Sequence, residues 1–88
     1  MFRLWGKIFK NNKLLRDLTV ENPSDETRTH KVFSAVSYLC LEFDLPNPIW
    51  LKGNVSEFKR LSRTRFSQDS FMEPVDFDYL EIQVIEED

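Results

Sequence analysis

The side chains with most chemistry to offer are sorted by charge along the chain. From Lys52 to Arg65 the sequence carries Lys52, Lys59, Arg60, Arg63 and Arg65 against the single acid Glu57. Phe58 and Phe66 are set among these cations, and Trp50 lies just upstream. Arginines beside aromatic rings hold phosphates and stack on unpaired bases, and the hydroxyls of Ser62, Thr64 and Ser67 add phosphate donors. The chemistry implied is binding of nucleic acid or another polyanion through Lys52, Lys59, Arg60, Arg63 and Arg65. No recognised nucleic-acid motif accompanies the run, and the chain is acidic overall, with a formal net charge of −3. The aromatics serve equally well as core anchors, and the basic run could instead cross an acidic strand.

The acids are sorted too. Residues 69–88 hold Asp69, Glu73, Asp76, Asp78, Glu81, Glu86, Glu87 and Asp88 and no Lys or Arg. Calcium and magnesium prefer such oxygen ligands, but no Asp-x-Asp-x-Asp-Gly spacing occurs. Asp76 and Asp78 fall on one side of a strand, where an acidic edge ordinarily serves solvation and discourages strand-on-strand association. No metal site is assigned.

Other reactive groups are sparse. His30 is the only histidine and has no second histidine at ligand spacing, so a partly exposed helix position is the expectation. Cys40 is the only cysteine; it shares an apolar stripe with Val36, Leu39 and Phe43, which is a packing position rather than a nucleophile's. With only Gly6 and Gly53, the chain has no phosphate-binding glycine loop, nucleophile elbow or dinucleotide fingerprint. Neither enzymatic activity nor a cofactor is expected.

The elements that would position these groups can be read from periodicity. Phe2, Leu4, Gly6 and Ile8 alternate with Arg3, Trp5, Lys7 and Phe9, which is strand patterning. Asn11-Asn12 supplies a turn, and residues 14–21 form the return strand, with Leu18 and Val20 inward. Asn22-Pro23-Ser24 breaks the sheet, and Ser24 or Asn22 caps a helix over residues 25–43. Its stripe is Val32, Phe33, Val36, Leu39, Cys40 and Phe43. Pro46 and Pro48 end it. Ile49-Trp50-Leu51 reads as a short edge strand or an extended linker, and Lys52-Gly53-Asn54 as a turn. A short second helix, capped by Asn54 or Ser56, carries Val55, Phe58 and Leu61; Ser62-Arg63-Thr64-Arg65 reads as loop. Residues 76–86 form a last strand, with Leu80, Ile82 and Val84 on one side.

The basic first hairpin and the acidic last strand suggest pairing, with Glu81 and its outward neighbours facing Arg3 and Lys7. Opposite charges so placed contribute roughly 0.2–1 kcal/mol each. Trp5, Phe9, Tyr79 and Ile85 would then share the outward face, too apolar a group to stand bare. The 62–74 loop, through Phe66 or Phe71, is the simplest cover; a partner subunit, as in a homodimer, is the alternative.

Size and composition agree with one domain over residues 1–88. A hydrophobic fraction of 41% with eight Phe supports a packed interior. The lone cysteine excludes an internal disulfide, so a reducing cytoplasm is expected. The opening run Phe2–Phe9 is too short and too charged for a signal peptide or a span, and no membrane partner is expected.

Several stretches resemble a family of short bacterial proteins of unknown function, best known from Gram-positive anaerobes. They are Asp25-Glu26-Thr27-Arg28-Thr29-His30-Lys31-Val32-Phe33, Pro48-Ile49-Trp50-Leu51, Glu57-Phe58-Lys59-Arg60, Thr64-Arg65-Phe66-Ser67-Gln68-Asp69-Ser70-Phe71 and Phe77-Asp78-Tyr79-Leu80-Glu81-Ile82. The likeness spans nearly the whole chain. It implies a bacterial, cytoplasmic, stand-alone domain and transfers no activity, cofactor or site.

The expected fold is α+β in two layers: a mostly antiparallel sheet from the N-terminal hairpin and the C-terminal strand, packed by one long amphipathic helix, with a short second helix. The expected function is a non-enzymatic interaction module that binds a protein partner or itself through Trp5, Phe9, Tyr79 and Ile85. Polyanion binding through the basic segment is the alternative.

Overall fold

The alternating run at the N-terminus folds as read. Strands β1 (Phe2–Lys10) and β2 (Lys13–Asn22) form a hairpin in which Lys10 opposes Lys13. The two residues between them, Asn11 and Asn12, have φ of 52° and 64°. Positive φ at both positions gives a turn whose twist matches the flanking strands, and asparagine is one of the few side chains that tolerate it. A computed structural model describes residues 1–87, so Asp88, one carboxylate of the acidic block, lies outside the described residues.

Strand β4 (Tyr79–Glu86) runs antiparallel along the other side of β1, with Lys7 opposite Glu81, Gly6 opposite Ile82 and Leu4 opposite Val84. The tail of the chain thus lies against its head. Residues 76–78 stop short of the strand, although the Asp78 N–H still donates to the Phe9 carbonyl at 2.9 Å. Among the described residues the sheet has the order β2-β1-β4-β3, all antiparallel.

Strand β3 (Arg63–Phe66) corrects the loop expected at 62–65. Thr64 and Phe66 point into the core while Arg63 and Arg65 point out. That is a period-two pattern, but four residues with one large apolar group are too few to distinguish from loop. β3 takes the open side of β4, and Ile49-Trp50-Leu51 is not a strand; its Ile49 N–H donates instead to the Ser70 carbonyl at 2.7 Å.

Helix α1 spans Arg28–Glu42 rather than residues 25–43. Asn22 Oδ1 accepts the Ser24 N–H at 2.9 Å and Ser24 Oγ accepts the Glu26 N–H at 3.4 Å, so local turns hold this segment out of the helix. Thr27 is the cap, accepting the His30 N–H at 3.3 Å. The helix ends in a Schellman turn without glycine: Asp44 takes φ 57°, and the Leu45 N–H donates to the Cys40 carbonyl at 2.8 Å.

Val32, Ala35, Val36, Leu39 and Cys40 are buried, facing Phe2, Leu4, Ile8, Leu80 and Ile82 of the sheet. Phe33, expected among them, is 50% exposed. At ~100° per residue it stands at the border of the stripe. Gly6 is where the helix comes closest: a Cβ there would lie 2.5 Å from Leu39 Cδ1, inside contact distance of a fully buried side chain.

Helix α2 (Lys52–Leu61) starts at Lys52, so the expected turn at 52–54 is its first turn. Asn54 lies inside it and works as a bracket. Its Oδ1 accepts the Leu51 N–H at 3.0 Å, and its Nδ2 donates to Thr64 Oγ1 at 2.9 Å and to the Arg65 carbonyl at 2.8 Å. These bonds lock α2 onto β3. Ser62, at φ 57°, ends the helix with its N–H on the Phe58 carbonyl at 2.8 Å.

Candidate interaction surfaces

Register places aromatic rings and charges together on the outward face of the sheet. Trp5 donates its indole N–H to Asp17 Oδ2 at 2.9 Å. Lys7 Nζ lies 3.9 Å from the Trp5 ring centroid and 2.8 Å from Glu81 Oε2. Arg65, from β3, donates to Glu81 Oε1 at 2.8 Å and lies with Cζ 4.5 Å from the Tyr79 centroid. Tyr79 in turn stacks on Phe9 at 5.2 Å. Lys7 and Glu81 are each only 8% exposed. Burial pushes the Glu81 carboxyl up, but hydrogen bonds from Lys7 and Arg65 and their attraction outweigh it and hold the group below the usual carboxylate range.

The expected cover for this face is not there. Phe66 and Phe71 belong to the core, and the rings of Trp5, Phe9 and Tyr79 are half-buried by the cations and aromatics beside them. Ile85 is exposed, next to the bulge where β4 leaves its register with β1. Arg3 bridges Glu21 at 3.0 Å and Glu86 at 3.1 Å, so the outer ends of three strands are cross-linked by charge.

The five cations of the basic segment are divided. Arg65 is spent on Glu81. Lys52, Lys59 and Arg60 on α2 and Arg63 on β3 are exposed, and none makes an ion pair with a described residue. Lys59 and Arg60 lie in the last turn of α2, where the helix dipole favours cations.

The acids have structural work. Asp76 pairs with Lys10 at 2.8 Å, and that hydrogen bond lowers its carboxyl below the ordinary range; Asp78 Oδ2 accepts the Asn11 N–H at 2.8 Å. Both carboxylates pin the tip of the first hairpin. Among the described residues no three His, Cys, Asp or Glu side chains converge as metal ligands would. His30 is exposed in the first turn of α1. Cys40 is buried, and burial pushes its thiol up to about 11, far from a reactive thiolate at neutral pH.

Sequence reasoning missed a groove between α1 and α2. Val32, Phe33, Trp50, Val55 and Phe58 line it, Arg28 and Lys59 border it, and it encloses about 260 Å³. Trp50 builds its floor by standing edge-on to Phe33 at 5.6 Å, to Phe58 at 5.3 Å and to Phe66 at 5.1 Å. The Arg28 guanidinium is 5.2 Å from the Phe58 centroid, bonds Glu87 Oε1 at 2.6 Å and donates to Ser62 Oγ at 3.0 Å. The sequence signals were Phe33 at the border of its stripe and a tryptophan fixed just after Pro48. Neither reveals a groove until α2 is placed.

No described helix is long and apolar enough to cross a membrane. The chain matches no protein-family model, and comparison with curated proteins and with solved structures finds none similar to it.

Proposed function

We propose that this protein is a non-enzymatic interaction module that binds a protein partner through the groove between α1 and α2. The observation that carries this reading is the half-exposed Phe33 standing over Trp50 with Val55 exposed beside it. Leaving such groups in water forgoes roughly 25 cal/mol for each Å² of apolar surface, and a contiguous apolar hollow is where a partner recovers it. The volume of about 260 Å³ is below the roughly 300 Å³ at which small-molecule pockets begin, and suits one large side chain from a partner.

The outward face of the sheet, with Trp5, Phe9, Tyr79 and Ile85, supports self-association less well, since its rings already have cations and hydrogen bonds as partners. A photo-crosslinking residue placed at position 33 should join one identifiable protein in cells, whereas the same residue at position 85 should not. Adducts only from position 85, or a dimer at working concentrations in sedimentation, would move the interface to the sheet.

A second reading rests on Lys52, Lys59, Arg60 and Arg63, exposed and without an ion pair among the described residues: they supply the charge a polyanion binder needs. Such binding would weaken steeply with salt. Titration with single-stranded RNA and DNA at low salt decides it, and amide resonances of residues 52–63 that do not move would remove it.

A further inference from the structure

The groove is bordered by two cations in different states. Arg28 is engaged, its Nε on the Glu87 carboxylate at 2.6 Å, while Lys59 on the facing helix has no described carboxylate. The same guanidinium lies over Phe58 in the groove lining. A carboxylate bound at Arg28 therefore sits at the mouth of an apolar hollow, and a second cation across that mouth has no anion among the described residues. Glu87 belongs to a tail that reads Ile85-Glu86-Glu87-Asp88, an apolar residue followed by acids. The chain itself thus shows the chemistry this rim accepts.

We propose that the groove takes a short acidic peptide carrying one bulky apolar side chain, and that Glu87 competes with that peptide for Arg28. This rests on the groove being the docking surface. The apolar side chain packs between Phe33, Trp50 and Val55. One carboxylate displaces Glu87 on Arg28 and another meets Lys59. The tail then acts as a built-in competitor that raises the affinity a partner must have, and a partner that also holds the released tail gains twice.

The probe is a fluorescein-labelled peptide of glutamates flanking a single phenylalanine, followed by anisotropy at low salt and by amide shifts. Its control replaces the glutamates by glutamines. The acidic peptide should bind, with shifts at residues 28–33 and 50–59, and the glutamine control about fivefold or more weakly. Phe33→Ala should weaken binding at least about fivefold. That ring is half-exposed, so the variant keeps its fold, which thermal unfolding verifies. Lys59→Glu should weaken it as well, and Glu87→Gln should tighten it about two- to fivefold by freeing Arg28.

Equal binding to wild type and Glu87→Gln would overturn the competition. If the glutamine control binds as well as the acidic peptide, or binds alone, the acidic partner falls while the docking groove stands. If neither peptide binds and position 33 yields no crosslinked partner, the groove itself falls. Single-stranded RNA shifting residues 52–63 where the peptide shifts nothing overturns the proposal in favour of a polyanion.

Discussion

On the outer face of the sheet, Lys7 lies 3.9 Å from the Trp5 ring and 2.8 Å from Glu81. In the groove between the helices, Lys59 borders Trp50, Val55 and Phe58 and meets no described carboxylate. Both regions combine aromatic rings with cations. In the first, antiparallel register sets Lys7 and Arg65 on either side of Glu81, so charge, ring and hydrogen bond close on one another. In the second, α2 turns its cations outward, and its one acid, Glu57, makes no ion pair with them. A buried charge such as Lys7 is costly unless paired, whereas an exposed lysine is solvated and needs no partner. The contrast separates a surface whose charges are paired within the fold from one whose cations are left to solvent.

The sharpest test of the frame behind both regions is Ile82→Ala, which removes a fully buried side chain opposite Gly6 and should cost about 2–5 kcal/mol in urea unfolding. Glu81→Ala comes next, at about 2–3 kcal/mol, because it leaves Lys7 almost buried without its anion. A loss close to zero would show the sheet face to be as open as the groove.

The same carboxylate gives a pH signature. Its folded value is depressed, so its contribution is present above the unfolded value of about 4.3 and is lost as pH falls through the lower folded value. The stability gap between wild type and Glu81→Gln should therefore be constant from neutral pH down to about 4.3 and close below it.

Gly6→Ala should destabilise by about 1–3 kcal/mol, since the new methyl group meets Leu39. A neutral outcome would mean that α1 is not pressed against β1. Phe33→Ala should cost least, about 0.5–1.5 kcal/mol for its edge contact with Trp50, while its effect on binding should be the largest of the series. A loss as large as that of Ile82→Ala would place Phe33 in the core and undo the contrast.

Much of the sheet was legible in the residue order. Alternation in residues 2–9 and 80–84 marked two strands, and the Asn11-Asn12 pair marked the turn. The opposed charges of Arg3 and Lys7 against Glu81 suggested which strands meet, whereas Glu86 reaches Arg3 only through the bulge between Arg3 and Leu4. Less was legible of the candidate site. Arg65 looked like one of five equivalent cations until β3 put it opposite Glu81. Phe33 looked like core because a border position of a helix is buried or open according to what packs beside it. The start of α1 was misplaced because Asn22 and Ser24 spend their side chains on nearby N–H groups, a competition that helical spacing does not report.

Strand patterning, turn chemistry and charge order were enough to dictate the hairpin and its pairing with the tail, because the pleat obliges alternate residues to share a face and neighbours across the ladder to match. Packing had to settle the rest: which short segment pairs with the open side of β4, which rings stay half in water and which cations meet no described acid. Those outcomes depend on contacts between residues far apart in the chain, and no local pattern encodes the geometry in which they meet.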